Sequence, residues 1–289
     1  MELLDPILRE IIIGSKSARI TIRHFTDIHR GAEGHDDKLW RRAVAAQEHD
    51  PNSYCIITGD LVDGDRPSMR DRKAVIHAED DRKEAWTQSD KERMSWLREF
   101  IIPDYKRLAP RCLGIIDGDH FMRFSNRMTS GEYICKQTGI PYIGERMGFV
   151  VLQIRTTKNH VYSYPIFARH GRAGTASNSA SVAAIERQNH SYRAHLYLGG
   201  HNHREHLHAV KVCEPNRNGN KIRKYTAWYM RGGSFLDAAY AKTKEYEPLV
   251  RGWGEVELTA HRIKNPSGGT KSNSRMLIVE ARRASMVAE

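Results

Sequence analysis

Residues 19–26, RITIRHFT, alternate apolar and polar side chains with β-branched residues among them, so this stretch predicts a strand that delivers Asp27 and His29 at its C-terminal end. A second run, YCIITGD, is wholly apolar from Cys55 to Ile57, then breaks at Gly59 and delivers Asp60. A run without a polar face predicts a strand buried on both sides. GIIDGDHF (114–121) ends in the same manner on Asp117, Gly118, Asp119 and His120. GFVVLQI (148–154) and VYSYPIFARH (161–170) read as strands, the second ending at His170, and HLYLGG (195–200) leads into His201. Further strands are predicted around 207–213, 224–230, 253–259 and 275–281. The stretch 65–111 is densely charged, with Trp86, Met94, Leu97 and Ile101 at roughly helical spacing, which predicts one or two amphipathic helices closed by Pro103 and Pro110. GRAGTASNSAS (171–181) reads as flexible and precedes a helix to about Arg193, and KNPSGGTKSNS (264–274) reads as a loop.

At 289 residues and 39% hydrophobic content the chain can bury a full core, and one α/β domain over 1–289 with a short tail from about 283 is expected. No apolar stretch has membrane-spanning length, and the first twenty residues do not resemble a secretory leader. Cys55, Cys112, Cys135 and Cys213 are scattered without a C-x-x-C pair, which argues against a disulfide framework or a zinc knuckle and fits a cytoplasmic location. The net charge of +11 is unevenly placed: residues 141–231 hold 14 Lys+Arg against 4 Asp+Glu, whereas residues 1–140 hold 23 against 24. Tyr225, Trp228 and Tyr229 lie among Lys221, Arg223, Lys224 and Arg231. Such a surplus attracts phosphate-bearing partners, DNA, RNA or nucleotides included, although it serves solubility equally well.

The predicted strand ends carry the candidate chemistry. Asp27 with His29, Asp60, Asp119 with His120, His170, and His201 with His203 each follow a strand directly. One such residue would signify little, since isolated histidines are commonly structural; recurrence at five strand ends points to a shared site. Mixed carboxylate and imidazole donors suit Mn, Fe, Zn, Ni or Co, rather than the all-oxygen cages of Ca or Mg. There is no G-x-S-x-G elbow, and GGTKS (268–272) lacks the Gly immediately before Lys that a phosphate-binding loop requires. His206 and His208 belong to an outgoing strand, and His24 and His35 read as structural. Arg123, three residues after His120, and Arg172, two after His170, are candidate phosphate clamps, because the guanidinium fork matches phosphate oxygens.

In order along the chain, DIH, GDLVD, GDHF, HG (His170, Gly171) and GHNH (200–203) resemble the calcineurin-like binuclear metallophosphoesterases, whose pattern is D-x-H, G-D-x-x-D, G-N-H-D/E, a lone His before Gly, and G-H-x-H. The segment GGSFLDAAYAKTKEYEPLVRGWGEVEL is more loosely similar to bacteriophage members, for which the location would be the host cytoplasm. The resemblance implies a four-layer α/β/β/α sandwich with two central mixed sheets. It implies that Asp27, His29 and His203 hold one divalent ion, that Asp119, His170 and His201 hold the other, and that Asp60 bridges them. His120 would act on the leaving-group oxygen, with Asp63 supporting the loops behind the ligands. The expected reaction is phosphoester hydrolysis by a metal-activated water, on a phosphodiester of nucleic acid or nucleotide; a phosphomonoesterase or a non-catalytic metal-binding scaffold are the other readings.

Two positions depart from the pattern. Phe121 stands where an acid follows the histidine, so another group must orient His120, Asp63 or a group on the substrate being the alternatives. Asp119 stands where Asn is usual, so three carboxylates would face two divalent ions and leave a formal surplus of one positive charge.

Overall fold

The computed structural model describes residues 5–13, 17–32, 34–63, 83–156, 161–171, 183, 187, 191–203, 206–215, 219–237, 251–264 and 275–287. Among the described residues, twelve strands form two six-stranded mixed sheets. One, the β2 sheet, has the order β12 (Arg275–Val287), β11 (Trp253–Lys264), β2 (Ser17–Phe25), β3 (Ser53–Thr58), β4 (Cys112–Ile116), β5 (Tyr142–Gly144). The other, the β7 sheet, has the order β1 (Ile7–Ile13), β6 (Met147–Thr156), β7 (Val161–Arg169), β8 (Leu196–Gly199), β10 (Ile222–Arg231), β9 (His206–Pro215). β2, β3 and β4 run parallel side by side, as do β7 and β8, so all five put their C-terminal ends at one edge of the molecule.

The sheets stack on an aliphatic layer. Ile22, Ile56, Leu113 and Ile116 from one meet Val150, Leu152, Ile166, Leu196, Leu198 and Met230 from the other. The outer face of the β2 sheet is covered by α1 (Asp37–His49), α2 (Lys83–Trp96), α3 (Ile102–Leu108) and α4 (Ser130–Thr138), through a cluster that includes Trp40, Leu97, Tyr105 and Ile134. With both faces covered, β3 and β4 are almost wholly buried, which is why their sequences lack a polar alternation. Tyr197, Tyr229 and Phe167 occupy the outer face of the β7 sheet. All but Gly171 of the expected flexible segment at 171–181, most of the helix expected to follow it, and nearly all of the loop at 264–274 lie outside the described residues.

Helix boundaries follow local chemistry. Asp36 caps α1 by accepting the Leu39 N–H at 2.9 Å. Thr129 and Glu132 form a reciprocal capping box at the start of α4, and Gly139, at φ 77°, ends it.

The charged stretch differs from expectation at Pro103, which opens α3 within its first turn instead of closing the helices. Lacking an N–H, Pro103 cannot continue the ladder, and the turn before it widens to a π turn over Leu97–Ile101. Pro110 does sit in the terminal 3-10 turn, Ala109–Arg111, while 65–82 lies outside the described residues. Strand β1 is an element the hydrophobic pattern did not predict, and β12 runs to Val287, through the position where a tail was expected.

Candidate metal centre

The five parallel strand ends converge. Past β2 come Asp27 and His29; past β3, Asp60; past β4, Asp119 and His120; past β7, His170; past β8, His201 and His203. Backbone hydrogen bonds tie these ends together: Asp27 N–H to Gly59 C=O at 3.2 Å, His29 N–H to Asp60 C=O at 2.8 Å, Asp60 N–H to Asp117 C=O at 2.8 Å, and Gly200 N–H to His170 C=O at 2.9 Å. Close approach demands glycine at two of the turns. A Cβ on Gly59 (φ 102°) would lie 2.3 Å from His170 Nδ1, and one on Gly118 (φ 92°) would lie 2.4 Å from Asp60 Oδ1.

Among the described residues three groups of donors offer ligand atoms within 4.8 Å of one another: the triads Asp27–His29–His203 and Asp60–His170–His201, and His29–Asp63–His120, which shares His29 with the first. Between neighbouring donors, His203 Nε2 is 3.3 Å from Asp27 Oδ1, His170 Nε2 is 3.1 Å from Asp60 Oδ2, and His29 Nε2 is 3.6 Å from that same Asp60 oxygen. Asp60 Oδ2 thus stands between the triads. Its Oδ1 is engaged separately, accepting the N–H groups of Asp119 and His120 at 2.8 Å each. His201 Nδ1 lies 3.2 Å from Asp119 Oδ2 and 3.3 Å from His170 Nε2.

The donors are aimed by the groups behind them. His170 Nδ1 donates to the Thr58 carbonyl at 2.7 Å, which turns Nε2 inward. Thr26 Oγ1 donates to Asp27 Oδ2 at 2.8 Å, and the His201 N–H reaches both Asp27 oxygens at 3.0–3.1 Å. Asp63 is shared by two rings: its Oδ2 is 3.3 Å from His29 Nδ1 and its Oδ1 is 3.5 Å from His120 Nδ1. Burial alone would raise the Asp27 and Asp60 carboxyls, but His203 and His170 beside them hold both well below the ordinary carboxylate range. Burial pulls His170 down, and Asp60 more than reverses this, raising the imidazole to about 9. Asp63 raises His120, against the opposing effect of burial.

The donor set fits divalent ions. Dry, ionised carboxylates and inward-turned imidazoles are the ligands that Mn, Fe, Zn, Ni or Co takes. The backbone gives a second sign. Among the described residues, six non-glycines have positive φ, and five of them are Asp27 (51°), His29 (51°), Asp60 (50°), His201 (77°) and His203 (52°). Each costs about 1–3 kcal/mol and persists only where the surroundings over-determine it.

Other sequence candidates separate from this cluster. Arg123 is committed to Glu145 at 2.7 Å and to the Arg127 carbonyl at 3.0 Å, with its guanidinium over the Phe121 ring, so its fork is occupied by the protein. Arg172 lies outside the described residues. His24 and His35 are structural, His24 Nε2 being 2.6 Å from Thr58 Oγ1 and His35 Nδ1 2.8 Å from the Ile28 carbonyl. His206 and His208 sit together on β9, with His208 stacked on Tyr229. The aromatic residues of the basic half are packing groups: Tyr229 is buried against Tyr197, and Trp228 packs toward the layer between the sheets. Arg223, at the far end of β10 from the site, donates to His195 Nε2 at 2.8 Å. Eight residues of strand put it roughly 25 Å from Arg231.

Two arginines that sequence reasoning did not assign to the site lie close to it. Arg146 Nη1 is 2.5 Å from Asp119 Oδ1. Arg231, at the C-terminal end of β10, is 5% exposed, and its Nε and Nη1 have no hydrogen-bond partner among the described residues. Arg146 is far in sequence from every strand-end motif, so spacing carried no signal for it; Arg231 was legible only as part of a basic run.

No family model matches the chain, and no curated protein matches it. Among solved structures it is similar to a single mutant of Vps29 from Entamoeba histolytica (10% identity, TM-score 0.42, covering 91% of this chain and 100% of that one). It is also similar to the calcineurin-like phosphoesterase YfkN from Bacillus subtilis (10% identity, TM-score 0.42, 92% and 91%) and to Vps29 complexed with zinc from Entamoeba histolytica (11% identity, TM-score 0.37, 91% and 99%). At this distance, the side chains at the strand ends, and not the neighbours, bear on function.

Proposed function

We propose that the chain is a metal-dependent phosphoesterase. The observation that carries this reading is the pair of triads meeting at Asp60, with the Asp63-supported His120 beside them. Asp27, His29 and His203 would hold one ion, and His170, His201 and Asp119 the other, with Asp60 shared. When bound, two such ions polarise a water and the phosphoryl oxygens, supplying the nucleophile and much of the charge stabilisation. Manganese is the first choice and Fe, Zn, Ni or Co the alternatives.

The protein's own part is acid–base chemistry and positioning. His120 is 32% exposed on its side chain, so it can meet a substrate, and Asp63 favours its protonated form. It would donate a proton to the departing oxygen, a contribution typically on the order of 10² to 10⁴-fold. Asp63 takes over the orienting task that Phe121 cannot perform. A phosphodiester of DNA, RNA or a nucleotide is the proposed substrate class, supported by the net charge of +11 and its concentration in the second half of the chain.

A purified sample supplied with Mn²⁺ and assayed against a diester, a monoester, and single- and double-stranded DNA tests the reading. Turnover of the diester above the monoester supports it. Monoester preference would make the protein a phosphomonoesterase, and inactivity toward all four with metal bound would make it a scaffold.

A further inference from the structure

The acid at 119 has a dedicated partner. Asp119 divides its oxygens: Oδ1 takes Arg146 Nη1 at 2.5 Å, and Oδ2 faces His201 Nδ1 at 3.2 Å. The segment bearing Arg146 is strapped to the site from both sides, since the Gly118 N–H donates to the Glu145 carbonyl at 2.9 Å and the His170 N–H to the Arg146 carbonyl at 2.9 Å. The guanidinium therefore stands at a fixed place between the β4 turn and His170, with its side chain 29% exposed at the rim.

We infer that Arg146 is the positioning residue and counter-ion of Asp119, and that the two together set how strongly the site attracts phosphate. This rests on the phosphoesterase reading. With one oxygen held by Arg146, the carboxylate has one left for an ion, as an amide would. A neutral amide at 119 would turn its NH₂ toward the guanidinium, donor against donor, so the arginine and the acid are matched. The charges are matched too. Two divalent ions less the carboxylates of Asp27, Asp60 and Asp119 leave one positive charge, and Arg146 restores a second. That equals the surplus left by two carboxylates, an amide and no arginine. The acid thus does not weaken the site for anions while Arg146 is present; without it, a phosphate dianion loses attraction and the ions gain it, because Coulomb energy follows the product of charges.

The pair is tested by a mutant cycle of Arg146→Gln, Asp119→Asn and the double variant, with Arg146→Lys as the variant that keeps the charge. Mn²⁺ titration of metal-free protein by calorimetry and competitive inhibition of the Mn²⁺-loaded enzyme by inorganic phosphate are the readouts. Arg146→Gln should bind Mn²⁺ about tenfold more tightly and phosphate about tenfold more weakly, whereas Asp119→Asn should shift both in the opposite sense. The double variant should return phosphate affinity to within about threefold of the starting protein, and Arg146→Lys should lie between it and Arg146→Gln. Opposite movement of the two affinities is a signature that simple loosening of the site cannot give. If Arg146→Gln moves neither affinity, or weakens both alike, the inference is overturned and the phosphoesterase reading stands. If the unaltered protein binds no Mn²⁺, that reading falls and the inference falls with it.

Discussion

His120 Nδ1 lies 3.5 Å from Asp63 Oδ1, while the other oxygen of that carboxylate lies 3.3 Å from His29 Nδ1. One acid thus steadies both a candidate ligand and the candidate proton donor. The carboxylate stabilises imidazolium at His120 and raises it above its ordinary value. Activity that needs the protonated ring is lost as pH rises through that raised value. Asp63→Asn removes the stabilisation, so the alkaline fall in kcat should begin at lower pH than in the starting protein. A pH–rate profile on a poor leaving group checks this; an unmoved alkaline limb would remove Asp63 from the role.

Metal binding should expel a proton. With Asp60 holding the His170 imidazole at about 9, its Nε2 is protonated at neutral pH and must lose that proton to accept an ion. Affinity should therefore climb with pH up to about 9 and then flatten. Calorimetry at pH 7 in buffers of different ionisation enthalpy should read close to one proton released per chain from this ring. Asp60→Asn keeps an acceptor for the Asp119 and His120 N–H groups but removes the shared charge, and should abolish the rise in Tm that Mn²⁺ gives the starting protein.

A second pH effect belongs to the β7 sheet, away from the candidate metal centre. Burial, helped by Arg223, lowers His195 from 6.5 to about 4. The folded chain thus takes up this proton only near pH 4, whereas the unfolded chain takes it up below 6.5. The neutral ring's contribution to stability is whole above 6.5 and declines as pH falls toward 4. Its loss is on the order of 3 kcal/mol. Urea denaturation at pH 7 and pH 4.5 should show a smaller drop for His195→Asn than for the starting protein, and equal drops would refute the assignment.

Arg231 should be a stability burden. Its buried guanidinium leaves Nε and Nη1 without acceptors among the described residues, and burial lowers its pKa despite the nearby Asp27. Replacing it with Met removes a desolvation cost of about 1–3 kcal/mol, which predicts a Tm higher by several degrees. Lying at the strand end beside the site, it should also cost turnover. A scan of Tm and kcat/KM for Arg231→Met separates the two effects, and a fall in both would mean that the side chain is well satisfied where it is.

The strand ends were readable because each couples a buried apolar run to a residue that such a run does not ordinarily deliver, as Ile57 does before Asp60 and Ile116 before Asp119. Periodicity reported where those runs stop, and the stopping points are the site. It could not report what crosses to a strand end from elsewhere. Arg146 reaches Asp119 through the Glu145–Gly118 backbone contact, a relation between loops 27 residues apart that leaves no spacing rule in the sequence. Strand β1 was missed because only Ile11 and Ile13 among its residues are buried, while Leu8 and Ile12 are exposed; an edge strand with apolar residues on both faces has no period-two signal. The packing of the aromatic residues near Arg223 left no signal either: Tyr229 stacks on Tyr197 on the outer face of the β7 sheet, and Trp228 packs toward the layer between the sheets.

The order in which the sheets are completed bears on how the protein is made. Ile7 of β1 pairs with Val150 of β6, and His24 of β2 pairs with Gly254 of β11, so each sheet takes a strand from the opposite end of the sequence. During synthesis, β1 leaves the ribosome with no neighbour and waits for β6, while β2 stands as an open edge until β11 arrives. Pairings of such long range form slowly and leave unpaired edges exposed meanwhile. The nascent chain holds Asp27 and Asp60 from early on, yet the histidines that face them, at 170, 201 and 203, emerge much later. A metal ion would therefore have no complete seat until most of the polypeptide has been translated, and its capture would fall among the last events of biogenesis.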